Sequence, residues 1–169
     1  MDIYDQLIPV YVNQLHNCER WIDMLEAFAA EKKIEPWVLL QARLAPDQFP
    51  FIRQVTAACD TAKWAVAKLC GKEGPSHPDT EATVEELRAR LGKVLTYIES
   101  FSRDDFQGAE DRRCVHRWMG GKWVRGEDYV RYFALPNFYF HTTSAYQILR
   151  HNGMQLAKTD YLRGLPMRD

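Results

Sequence analysis

The sequence has no run approaching the roughly 20 consecutive apolar residues that a membrane-crossing helix requires, which excludes a helical membrane protein. It has almost no net charge: 22 Lys and Arg face 23 Asp and Glu, giving a formal charge of -1. That balance excludes the strongly basic surface of a nucleic-acid binder. Its first residues, Met1-Asp2-Ile3-Tyr4-Asp5, are acidic and lack the basic-then-apolar order of a secretory signal. The four cysteines, Cys18, Cys59, Cys70 and Cys114, never form Cys-x-x-Cys, which argues against a structural zinc or thioredoxin-like site. There is no Gly-rich phosphate loop, no Gly-x-Ser-x-Gly elbow and no His-Glu-x-x-His. No internal repeat or low-complexity segment is visible.

What is present is an ordinary apolar complement. Of 169 residues, 46% are apolar and 12% aromatic. A chain of this length buries about 70% of its unfolded surface, which suits one domain over residues 1–169. Thiols placed in helical patterns read as small apolar core residues of a reducing compartment, so the expected location is cytoplasmic.

Apolar residues mark four long helices. Tyr4, Ile8, Tyr11, Leu15, Cys18, Ile22, Leu25 and Ala29 alternate spacings of four and three, with Asp2 as N-cap and Pro36 ending the run. Pro36 also suits the start of a short helical turn through Leu40. The break around Pro46 is followed by Asp47, read as the cap of a second long helix. Its stripe is Ile52, Val55, Cys59, Ala62, Val66 and Cys70, and Gly71 is its stop.

Residues 72–78 carry one glycine and two prolines and read as a loop. Asp79 or Thr80 is expected to cap a third helix with the stripe Val84, Leu87, Leu91, Leu95 and Ile98. Glu86 and Arg90 are spaced for an outward i,i+4 pair. Gly120 and Gly121 supply the positive φ angles of a hairpin turn between residues 113–118 and 122–125. A fourth helical region follows Gly126. Pro136 is expected to kink or restart it, and Gly153 closes it. The spacing thus predicts an all-α chain: a four-helix bundle with one long crossover, near Pro75 and Pro78, and a small β-hairpin before the last helix.

The run Leu135-Pro136-Asn137-Phe138-Tyr139-Phe140-His141-Thr142-Thr143 is followed by Ala145-Tyr146 and Ile148-Leu149-Arg150-His151-Asn152-Gly153. Together with Arg43-Leu44-Ala45-Pro46-Asp47-Gln48-Phe49-Pro50 and Asp60-Thr61-Ala62-Lys63 it resembles a domain-of-unknown-function family of the DinB and YfiT-like four-helix bundles. The resemblance implies a bundle with one crossover that is often a homodimer. It also implies a cavity where three histidines hold a divalent metal, one from the second helix and two at i,i+4 on the fourth. Superfamily members include thiol-dependent transferases and isomerases.

The residues depart from that ligand set. His141 matches one position, but Ala145 stands four residues on, and the second helix has no histidine. His16, His77, His116 and His151 fall elsewhere. A lone imidazole does not hold zinc or nickel, so neither metal nor other cofactor is expected.

The polar residues left are weighed by helical position. His141 and Tyr146 border the fourth apolar stripe of Phe138, Thr142, Ala145 and Leu149. Lys63 falls inside the second helix's apolar sector beside Thr56, three residues after Asp60. Each has a structural reading: a hydrogen-bonded border histidine and an Asp60–Lys63 pair. The functional reading joins them in one polar cavity, with His141, Tyr146, Asp60 and Lys63 as catalytic candidates and Asn137 and Thr56 as ligand contacts. Arg43 beside the Pro46 break caps carbonyls or contacts a substrate anion. Two functions therefore stand open: an enzyme acting on an unnamed small molecule through a metal-free cavity, and a non-catalytic or stress-associated homodimeric module. No membrane or nucleic-acid partner is expected.

Overall fold

The computed structural model describes residues 2–168. Asp2 caps the first helix as its position suggests, its Oδ1 accepting from the Asp5 amide at 2.9 Å. This helix, α1, spans Ile3–Lys32 and ends as Lys33 turns to φ 57°. Pro36 opens the short α2, Pro36–Leu40.

The second long helix, α3, spans Phe51–Leu69, and its N-cap is Pro50 rather than Asp47. The entry is held without a side-chain cap: the Phe51 amide donates to the Ala42 carbonyl at 2.9 Å, and Gln54 Nε2 donates to the Phe49 carbonyl at 3.2 Å. Asp47 stays exposed. The third long helix, α4, spans Val84–Glu99 and is capped by Thr83 rather than Asp79 or Thr80. Thr83 Oγ1 accepts from the Glu86 amide at 3.2 Å, while Glu86 Oε2 accepts from the Thr83 amide at 3.1 Å. That reciprocal box turns Glu86 back toward the helix start. The expected outward Glu86–Arg90 pair is therefore absent, and Arg90 is buried and points inward.

The hairpin forms from two very short strands, β1 at Arg113–Cys114 and β2 at Val124–Arg125, with Cys114 opposite Val124. Gly120 and Gly121 take φ 57° and 83°. The ladder stops early because His116 leaves it to bond the Tyr129 hydroxyl at 3.0 Å and stack on Trp118. After α5, Gly126–Tyr129, the helix widens into a π-turn over Val130–Ala134 and continues as α6, Leu135–His151. The Leu135 amide donates to the Val130 carbonyl, five residues back. This wider turn accommodates Pro136, which lacks an amide hydrogen, so α6 runs on without a break. A last short helix, α7, covers Lys158–Tyr161.

Side-chain pairs fix the topology. Arg88 bonds Asp23 and Glu26, while Arg103 just past α4 bonds Asp2 and Asp5, so α1 and α4 are antiparallel. Gln54 pairs with His141 and Thr61 with Asn137, so α3 and α6 are antiparallel. Arg90 meets Asp60, and Tyr97 meets the Glu73 carbonyl, so α3 and α4 are parallel. The connection between them must therefore return along the bundle: Gly74 lies on Trp64, His77 on Lys63 and Asp79 on Arg53. This is the one long crossover, carrying Pro75 and Pro78. α3 touches both α4 and α6. It is accordingly buried on most of its surface, including Ala58, Ala65 and Leu69 outside the expected stripe. All four cysteines are buried and unbridged.

Candidate functional site

Around α3 each residue advances about 100°, so Gln54 and Thr61 project within about 20° of each other, and Asp60 lies about 120° from Gln54. This divides the polar candidates between two sides of one helix.

On the side facing α6, Gln54 Oε1 accepts from His141 Nδ1 at 2.8 Å, and Asn137 Nδ2 donates to Thr61 Oγ1 at 2.7 Å. The Gln54 amide is oriented by its own donation to Phe49. His141 must therefore carry its proton on Nδ1, which leaves Nε2 as the basic nitrogen. Burial, and secondarily the Arg53 charge, holds its pKa below the ordinary histidine value. Phe49 and Phe140 flank its ring.

On the side facing α4, Asp60 Oδ1 accepts from Lys63 Nζ at 2.6 Å and from Arg90 at 2.7 Å. Arg90 also reaches Glu81 at 3.1 Å and the Pro78 carbonyl at 3.3 Å. Lys63 donates to His77 Nδ1 at 3.2 Å and lies over the Trp64 ring at 4.8 Å. Lysine has no acceptor, so His77 is neutral here with its proton on Nε2. Burial, then the Lys63 and Arg90 charges, lowers its pKa. A small cavity of about 180 Å³ adjoins the cluster, lined by His77, Glu81, Arg90 and Lys93 among others.

The remaining candidates lie apart from both groups. Tyr146 is buried between Trp21 and Tyr161, its hydroxyl 3.4 Å from the Leu156 carbonyl. Thr56 bonds Arg53 through its backbone carbonyl and guanidinium. Arg43 is exposed and donates to the Pro46 carbonyl at 3.3 Å. The structure thus joins Asp60 with Lys63, and sets His141 and Asn137 along another side of α3.

Four residues of these clusters were not among the site candidates read from the sequence: Gln54, His77, Glu81 and Arg90. Arg90 had a usable signal, because it falls three residues after Leu87 and one before Leu91, within the apolar stripe. The partners of the other three come from distant elements.

The three-histidine metal set does not fit this chain. The residue of α3 facing His141 is Gln54, whose amide oxygen occupies Nδ1, and Ala145 is fully buried with no donor atom. Among the described residues no group of three or more His, Cys, Asp or Glu is placed to hold a metal ion.

The comparisons with known proteins agree with this bundle. The family model described as "Domain of unknown function (DUF1993)" matches residues 3–162. A solved structure described as a DinB family member protein from Shewanella denitrificans is 45% identical. The match covers 99% of this chain and 95% of that one, with a TM-score of 0.95. No curated protein matches significantly. With nearly its whole length matched by one model and its backbone superimposing on a DinB relative, the chain belongs to the DUF1993 family of domains of unknown function, within the DinB-like superfamily.

Proposed function

We propose that this chain is a single-domain, homodimeric and non-catalytic binding module of the cytoplasm, which takes up a small molecule rather than transforming one. The observation that carries the reading is the separation of the polar candidates: His141 and Asp60 lie on different sides of α3, and each is bonded within the protein. Acid–base chemistry needs such groups to converge on one substrate. Exposed Phe49 and Phe140, 48% and 54% accessible on either side of His141, support a subunit contact there. Four free, buried thiols suit a reducing compartment.

Two measurements test the reading. After incubation with zinc or nickel and desalting, elemental analysis is expected to find far less than one metal per chain; a stoichiometric metal lost in His141→Ala overturns it. Sedimentation at tens of micromolar is expected to give twice the 19.7 kDa chain mass, and a monomer overturns the dimer.

One observation favours a second reading, an enzyme that uses His141 as base. Its Nδ1 is anchored by Gln54 and its Nε2 is left basic. Under that reading some substrate of a hydrolase and transferase panel is turned over, and His141→Gln abolishes the turnover while Tyr146→Phe preserves it.

A further inference from the structure

Between α1, the start of α6 and the C-terminal segment after α7 runs a groove of about 620 Å³. This is within the range of small-molecule sites. Its walls include Pro9, Val10, Leu135, Tyr139, Leu165 and Pro166. Gln14 also lines it, although its side chain is only 5% exposed.

The Gln14 amide has a determined orientation. Arg20 can only donate, so the atom of Asn17 that it meets must be the oxygen, Oδ1. Asn17 Nδ2 then faces the other way. There it lies 3.1 Å from the Tyr161 carbonyl, 3.2 Å from the Arg163 carbonyl and 3.2 Å from Gln14. Gln14 must therefore present its oxygen to Asn17, and its Nε2 amino group is left. That amino group is buried and has no partner. A buried amide donor without an acceptor is costly, and Gln14 is among the residues lining the groove, so an acceptor seated there can satisfy it once the side chain shifts slightly toward the groove.

The charge of the walls narrows the acceptor. Of the described residues lining the groove, only Asp5 is ionised, and Arg103 already holds its carboxylate at 2.6 and 2.9 Å. Among the described residues, no lysine or arginine lines it to neutralise an anion. We infer that the groove is a binding site for a neutral compound with an apolar body and a carbonyl oxygen (an amide, ester or ketone), the carbonyl accepting from Gln14 Nε2. The inference rests on the binding-module reading and names the site and ligand class for it. The C-terminal segment forms one wall, so the ligand also packs against the chain that Asn17 ties down.

The test is an amide-resolved NMR titration of the full chain with hexanamide, with hexanoate as the charged comparison. Hexanamide is expected to shift the Gln14 side-chain amide and the Leu135 and Tyr139 signals saturably by about 20 mM, the affinity range of so small a compound. Hexanoate should bind about tenfold more weakly, and Gln14→Met should weaken hexanamide by a similar factor. If Gln14→Met does not fold, Val10→Trp fills the groove while leaving Gln14 and Asn17 in place, and must abolish the shifts. The proposal is overturned by equal binding of hexanoate, by undiminished binding in either variant, or by no saturable shift. It is also overturned if the groove signals move on dilution of the protein alone, which would make a second copy the occupant. These outcomes are separate from the metal and mass measurements, so a failure of this groove is distinguishable from a failure of the binding-module reading.

Discussion

One carboxylate holds two buried cations: Asp60 Oδ1 accepts from Lys63 Nζ and from Arg90, side chains that are 1% and 2% exposed. Asp60→Asn keeps the shape but takes from Lys63 its carboxylate and leaves Arg90 with Glu81 and the more distant Asp79. A loss of about 3 kcal/mol is expected in urea unfolding. Adding Lys63→Met to that variant should recover part of the loss, because the stranded charge is gone. A change in Asp60→Asn no larger than that of a surface pair would show that water already serves the cluster.

Tyr11 offers the opposite case. Its ring packs on Phe138 with centroids 4.5 Å apart, yet its fully buried hydroxyl has no partner. Burial pushes its pKa well above the ordinary tyrosine value. Tyr11→Phe removes an unbonded polar group and keeps the ring, so it should stabilise the fold by about 1 kcal/mol. A clear destabilisation would mean that the hydroxyl is bonded.

Three histidines make stability depend on pH with one sign. Burial is the first cause that lowers the pKa of His77, His116 and His141 from 6.5 in the unfolded chain. The unfolded chain therefore binds these protons more readily. Their contribution is whole above 6.5 and is lost as the pH falls through the lower folded values. The urea midpoint should be nearly flat above about pH 7 and decline below about pH 6. His141→Gln should make that decline shallower, and an unchanged slope would remove His141 from it.

Two glycines should respond oppositely to alanine. A Cβ on Gly126 would stand 1.8 Å from the Ala109 carbonyl, in backbone that also bonds the Glu127 amide to Glu110 at 2.9 Å. Gly126→Ala should cost more than about 3 kcal/mol and free the hairpin, seen as faster hydrogen exchange there. Gly92, within α4, has nothing within 4 Å of the same position. Gly92→Ala should stabilise by about 0.5–1 kcal/mol through helix propensity.

Much of the fold was legible in the sequence because apolar spacing reports which face of a helix is covered. The stripe from Ile8 to Ala29, the Asp2 cap and the positive-φ pair at Gly120 and Gly121 are all local facts of this kind. The misread features share a cause. Asp79 looked like a cap, but Arg53 from elsewhere in the chain takes it. Glu86 looked like a partner for Arg90 until the Thr83 cap claimed it. Pro136, by contrast, restarts the helix as its type suggests: it stands in the first turn of α6, directly after the π-turn. The candidate site was less legible still, since periodicity places a residue on a face but not against a neighbour. Gln54 and Arg90 acquire their meaning only once α6 and α4 lie on opposite flanks of α3.

The parallel course of α3 and α4 bears on how the chain finds its structure. Helices adjacent in sequence usually pair as a hairpin, a contact formed early at little entropic cost. Here the antiparallel partners are distant: Asp23 meets Arg88 across 65 residues, and Gln54 meets His141 across 87. Large loops must close before either pair gains its packing, so refolding in stopped-flow should be slow for a helical protein of this length. The crossover loop, whose His77 and Asp79 seat on α3, should order in the same late step.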